Sequence, residues 1–285
     1  MSRCPLNVNG NGRETPRPRP QLCPPGAAAR LFVILVGVGA VIATWAFFAS
    51  FIIFLGNLPH RAEPWIEPSI DTGFATDWTP SMWLAVLNNL VLIALFGLQH
   101  SGMARPSFKT WLTRFVPAAF ERTVYVYAAC VIGFLLIALW CPIPIVVWRI
   151  EDGALRTLMW GAFTAGWAIL LVAALSIDMP ELLGLKQCWA YYMRRSIPSP
   201  ALKTGAIYHW LAHPMYVGVL LGVWCAPHMT LGHMLLALGL TTYIAVGRML
   251  EERDLAARFG PAYTTWRRTD LWERAPRTPA ARRTL

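Results

Sequence analysis

Four short stretches gather the ionisable and hydrogen-bonding side chains of an otherwise apolar chain. The first, Gln99-His100-Ser101-Gly102-Met103-Ala104-Arg105-Pro106, brings His, Ser and Arg together. His100 is able to accept a proton near neutral pH. The stretch also suits an interfacial anchor whose basic residues meet lipid phosphate. The second begins Asp178-Met179-Pro180-Glu181 and reads as a short interfacial helix capped by Asp178. Trp189, Tyr191 and Tyr192 behind it fit an aromatic belt. The third, Tyr208-His209-Trp210-Leu211-Ala212-His213-Pro214-Met215-Tyr216-Val217-Gly218, carries a proline that disfavours helix at His213. A break there frees backbone groups, which a membrane interior tolerates only inside protein or beside water. Gly218 and Gly222 allow close approach of another helix or of a ligand. His209 and His213 lack an HExxH pattern or a cysteine partner, so no metal site is expected. The fourth, Arg248-Met249-Leu250-Glu251-Glu252-Arg253-Asp254, ends an apolar run on adjacent carboxylates, which are costly there unless solvated or paired. Arg248 is spaced for an intrahelical ion pair with them. A His/Tyr group facing a Glu pair makes a cage for a polar, partly cationic cofactor.

The elements that position these groups follow from composition. Of 285 residues, 56% are hydrophobic and 14% charged, against about 25% charged in soluble domains. A soluble enzyme, a disordered tail protein and a disulfide scaffold are all disfavoured. Residues 31–59, 78–99, 123–148, 157–177 and 204–247 hold no Asp, Glu, Lys or Arg, and a bilayer pass takes about 20 such residues. The last run suffices for two passes, folded at Ala226-Pro227-His228. The expected fold is an all-α integral membrane protein of about six transmembrane helices, with a kinked C-terminal helix hairpin. Continuous apolar runs disfavour a β-barrel. With both termini cytoplasmic, 22 of the 25 Lys/Arg fall on the cytoplasmic side, as the positive-inside rule requires. The net charge of +10 therefore belongs to topology and not to a nucleic-acid partner. The chain reads as a multi-pass protein of the cell (inner or plasma) membrane, with its polar clusters facing the cytoplasm. Residues 1–29 read as a Pro/Arg-rich disordered leader, 30–263 as the transmembrane domain and 264–285 as a basic tail. The six cysteines are expected as free thiols, and no obligate protein partner is inferred.

His213-Pro214-x-Tyr216-x-Gly218, followed by Glu251-Glu252-x-x-Leu255-x-x-x-Phe259-Gly260-x-x-Tyr263, resembles the C-terminal signature of the isoprenylcysteine carboxyl methyltransferase superfamily. That superfamily holds S-adenosylmethionine between its last two helices and the tail. The runs Gln99-His100-Ser101-x-Met103-Ala104-Arg105, Phe108-Lys109, Glu121-Arg122, 182–187 and Pro227-x-Met229-Thr230-x-Gly232-His233 resemble the membrane-bound methanethiol S-methyltransferase family, over about residues 60–265. The resemblance implies S-adenosylmethionine as cofactor, a small volatile thiol as substrate, and the bilayer as surroundings. It implies His213, Pro214, Tyr216, Gly218, Arg248, Glu251 and Glu252 as cofactor-binding residues. Where the superfamily has Arg before His-Pro this chain has Ala212, and Arg248, Arg253 and Arg105 are the candidates to replace it.

The reaction so implied is in-line methyl transfer to a thiolate, which asks mainly for positioning and for removal of the thiol proton. His100 is the candidate base or proton relay, and Arg105 the candidate to stabilise the developing thiolate. Asp178 or a tyrosine is the alternative base. Two other functions stay open at this level. One is a superfamily member acting on a prenylated cysteine carboxylate or a phospholipid amine. The other is a non-enzymatic transporter or haem-handling protein.

Overall fold

The computed structural model describes residues 26–57, 69–73, 80–196, 206–209, 211 and 213–261. Most of the expected leader, the basic tail, Ala212 and Tyr263 lie outside the described residues. Among the described residues, five helices are long and apolar enough to span a bilayer: α1 (Ala27–Gly56), α2 (Met82–Ala104), α4 (Glu121–Ala138, continuing a preceding single 3₁₀ turn), α5 (Gly153–Ile177) and α9 (Leu231–Phe259). Short helices α3 (Pro106–Leu112), α6 (Met179–Leu182) and α7 (Leu185–Tyr192) connect them at one end, and α8 (Pro214–Trp224) precedes α9. The protein is an all-α integral membrane protein. Its exterior is that of a body in lipid: Trp83 on α2 is 76% exposed and Leu98 72%. Such residues gain nothing from burial when the surroundings are as apolar as they are.

The interior is sealed by aromatic side chains. Phe51, Phe54, Trp140, Phe163 and Trp167 belong to one buried cluster with Leu170 and Leu236, their rings meeting edge-on or stacked at 6.0–6.5 Å. Interhelical contact is closest between α5 and α8. A Cβ on Gly218 would lie 2.7 Å from the Gly166 carbonyl oxygen and 2.8 Å from the Leu170 nitrogen, and one on Gly222 would strike the Trp167 ring. These glycines let two backbones touch.

Two expected helices are shorter than their apolar runs. The run over residues 123–148 is helical only to Ala138, after which the chain extends into β1 (Val146–Arg149). Pro142 and Pro144 lack the N–H a helix needs, and the β-branched stretch around them favours extension. Strand β1 pairs antiparallel with β2 (His228–Thr230), which forms the fold expected at Ala226-Pro227-His228. The sixth pass appears as the eleven-residue α8, about 16 Å long at 1.5 Å per residue. His213 adopts φ −135° and ψ 64°, so Pro214 starts the helix late, as its sequence requires.

The end bearing the β ribbon is closed by polar links. Asp71 accepts hydrogen bonds from Thr230 Oγ1 at 2.6 Å and from Asn57 Nδ2, and His228 Nδ1 lies 3.5 Å from the same carboxylate. The extended segment is pinned to α2 by Asn89, whose Nδ2 donates to the Cys141 carbonyl at 2.7 Å while its Oδ1 accepts from the Cys141 N–H at 3.0 Å. At the opposite end Asp178 caps α6, accepting from Glu181 N at 3.2 Å, and pairs with Lys186 at 2.7 Å. Cys130, Cys141, Cys188 and Cys225 are free thiols.

Asn89 is fully buried, and Asn89→Leu strands two buried peptide groups. Unpaired groups of this kind cost about 1–3 kcal/mol each. Thermal unfolding in detergent should show a clear loss of stability, and an unchanged midpoint would mean that these bonds do not hold the segment.

Candidate active site

Three of the four polar stretches gather where the C-terminal ends of α2 and α9 approach the N-terminal end of α8. On α9, Arg248 and Glu252 stand one turn apart, and Arg248 Nε donates to Glu252 Oε1 at 3.0 Å, the intrahelical pair their spacing allows. The same oxygen lies 3.2 Å from His213 Nε2, a hydrogen bond that needs the proton on Nε2. Tyr216, in the first turn of α8, donates its hydroxyl to Glu251 Oε2. The His213 and Tyr216 rings stack at 5.3 Å and 20°. Adjacent carboxylates are thus each met from α8, one by an imidazole and one by a phenol. Both Glu252 and His213 have side chains less than one-fifth exposed.

Tyr208 lies beyond the helix, within electrostatic reach of Glu251. Burial, reinforced by that carboxylate, pushes its phenol up to about 12, so it remains a protonated donor at neutral pH. His100, on the last turns of α2, lies in an aromatic enclosure. Its ring stacks on Phe96 at 5.5 Å, tilts against Tyr125 of α4 at 5.2 Å, and meets Tyr243 of α9 edge-on at 6.1 Å. Its Nδ1 is sealed from solvent and has no hydrogen-bond partner among the described residues. Tyr243 stands eight residues before Glu251 on α9, so the same helix carries this enclosure and the carboxylates.

The structure therefore brings His213, Tyr216, Arg248, Glu251 and Glu252 together, and places His100 in the aromatic enclosure at the same end of the bundle. Other candidates sit differently. Arg105 caps the end of α2 and its guanidinium is engaged: NH1 donates to Asp254 at 3.0 Å and Nε to the Ser101 carbonyl at 3.3 Å, tying α2 to α9. Arg105 also lines an open groove of about 530 Å³ with Leu98, Gln99, Met103 and Phe108. The room left by Gly218 is filled by the α5 backbone, and Pro214 is buried at the first position of α8. Asp178, the alternative base, is held in the α6 cap and the Lys186 pair.

Sequence reasoning missed Phe96, Tyr125 and Tyr243, which lie inside apolar runs and read there as core. A signal existed for two of them. Tyr243, Gly247 and Glu251 follow one another at four-residue steps along α9, and Tyr125 stands three residues after Arg122, whose guanidinium lies 6.0 Å from the Tyr125 ring centre.

The chain is similar to methanethiol S-methyltransferase 2 of Bradyrhizobium diazoefficiens, at 39% identity over 256 residues, covering 90% of this chain and 94% of that protein. It is 41% identical over 201 residues to the methanethiol S-methyltransferase of a Pseudomonas strain, covering 70% and 76%. Nurim of Sus scrofa is 29% identical over 244 residues, covering 80% and 88%. No family model matches the chain, and no solved structure does.

Tyr216→Phe removes the donor to a carboxylate at the end of an apolar helix. Hydrogen bonds to charged groups contribute about 1.5–3 kcal/mol, so the variant should unfold at lower temperature in detergent than the parent. An identical melting curve would show that Glu251 does not depend on Tyr216.

Proposed function

The chain belongs to the methanethiol S-methyltransferase family, and on that premise we propose that it methylates methanethiol to dimethyl sulfide with S-adenosylmethionine as methyl donor. The site would be the cluster joining α2, α8 and α9, facing the cytoplasm from the inner membrane. The observation that carries this reading is the meeting of His213 and Tyr216 with Glu252 and Glu251, at the end of the bundle that also holds the unpartnered nitrogen of His100. The cytoplasmic orientation is supported by the concentration of basic residues on the loops at that side.

The chemistry of the residues fits the donor. Its amino group and ribose hydroxyls are hydrogen-bond donors, and Glu251 and Glu252 are acceptors. Its positive charge suits a place lined by tyrosines and carboxylates. His213, Tyr216, Arg248, Glu251 and Glu252 would hold it, with Pro214 and Gly218 fixing α8 against α5. When bound, S-adenosylmethionine supplies a methyl group carried on a positively charged sulfur.

The remaining work falls to the chain. His100 Nδ1 would take the proton of the thiol and so leave the sulfur lone pair free as the nucleophile. The thiolate is the competent nucleophile. The aromatic enclosure excludes water and holds the nucleophile in line, where positioning alone lowers the barrier substantially. Arg105, anchored by Asp254, keeps the end of α2 against α9 and adds positive charge near the developing thiolate.

Purified protein given methanethiol and S-adenosylmethionine should release dimethyl sulfide, measured by headspace gas chromatography. His100→Ala should lower turnover by about 10²–10⁴-fold, the range for a lost general base, while S-adenosylhomocysteine still binds. Glu252→Gln should instead weaken S-adenosylhomocysteine binding by about tenfold or more. Full turnover by His100→Ala would remove His100 as the base. Absence of dimethyl sulfide with the cofactor still bound would remove methanethiol as the substrate.

A further inference from the structure

Three rings from three helices close around His100: Phe96 of α2, Tyr125 of α4 and Tyr243 of α9. Phe96 and Tyr243 also meet each other, at 6.0 Å and 69°. The enclosure offers apolar ring faces and one buried acceptor, His100 Nδ1. We propose that Phe96, Tyr125 and Tyr243 are the walls of the thiol pocket and set its size limit, admitting a one-carbon alkyl group and rejecting longer ones. This inference rests on the thiol-methylating function given above.

The chemistry of the enclosure matches a small alkyl thiol. An S–H group needs one acceptor, which Nδ1 is, and sulfur makes favourable contacts with aromatic rings about 5 Å away. A methyl group needs apolar walls and nothing else. The walls are also held in place. A Cβ on Gly97 would come 3.0 Å from Tyr243 Cδ2, so the Tyr243 ring already lies against the backbone of α2 and has no freedom to swing that way. Because the walls come from different helices, enlarging the pocket means displacing a ring or parting α2 from α9, which Arg105 and Asp254 join. Each additional methylene on the substrate meets one of these costs. One methylene in a closed apolar pocket is worth about 10–200-fold in discrimination.

The test measures kcat/KM for methanethiol, ethanethiol and 1-propanethiol by headspace detection of the methyl sulfide products. S-adenosylhomocysteine binding by calorimetry serves as a readout independent of turnover. The parent should prefer methanethiol to ethanethiol by about tenfold or more. Phe96→Ala should shrink that ratio several-fold with S-adenosylhomocysteine affinity retained, and Phe96→Leu gives the same direction with less disturbance of the fold. Gly97→Ala, whose added Cβ would meet Tyr243 Cδ2 at 3.0 Å and shift that ring, should change the methanethiol-to-ethanethiol ratio. Unchanged thiol ratios in the Phe96 and Gly97 variants, with the cofactor still bound, would overturn the pocket while leaving thiol methylation standing. A parent that binds S-adenosylhomocysteine and methylates none of the thiols would overturn the function itself.

Discussion

An apolar helix that ends on two adjacent carboxylates has to find partners for both. Glu251 and Glu252 terminate a run of α9 that holds no other charge until Arg248, and a carboxylate withdrawn from water without a partner is among the most expensive groups in a protein. The solution here is α8. Its first turn delivers the His213 imidazole to one carboxylate and the Tyr216 hydroxyl to the other. Much of the architecture follows from that delivery. Helix α8 must begin at the level of the carboxylates, which Pro214 arranges by stopping helix at His213. It must also be held there, which Gly166, Gly218 and Gly222 achieve by letting α5 and α8 touch at the backbone.

The two ends of the helix bundle have different characters as a consequence. At one, β1, β2, Asp71, Thr230, Asn57 and His228 form a closed polar latch. At the other, hydrogen-bonding side chains from α2, α8 and α9 gather around tyrosines, beside charged links such as Arg105–Asp254 and Lys186–Asp178. In the proposed function this asymmetry has a use. A water-soluble donor would meet the carboxylates of α9, while an apolar thiol would meet the aromatic enclosure around His100.

Much of this was legible in the residues. Charge-free runs marked α1, α2, α5 and α9, and Asp178 before Met179-Pro180 announced the capped α6. Three of the four polar stretches held the groups that now gather at this end, and the second became the α6 cap. The departures have local physical causes. Helix α4 stops at Ala138 because hydropathy measures apolarity and not helicity, and Pro142 and Pro144 cannot continue the ladder. Helix α8 is short for the same reason at Pro214. Gly218 allowed two readings, ligand or helix contact, and only the position of α5 distinguishes what fills its space. Tyr125 and Tyr243 were hidden because an aromatic residue inside an apolar run reads as core. Their meeting at His100 joins residues more than a hundred positions apart, which no local pattern encodes.

In the proposed function, the carboxylate partnerships between α8 and α9 build the cofactor site rather than merely stabilising a helix end. A double-mutant cycle on Tyr216→Phe and Glu251→Gln, read as S-adenosylhomocysteine affinity of the purified protein, tests it most directly. Each single variant should weaken binding, and the double variant should lose less than the product of the two, with a coupling of about 1 kcal/mol or more. Affinity unchanged in all three variants would contradict the account, because the pair would then be structure without a site.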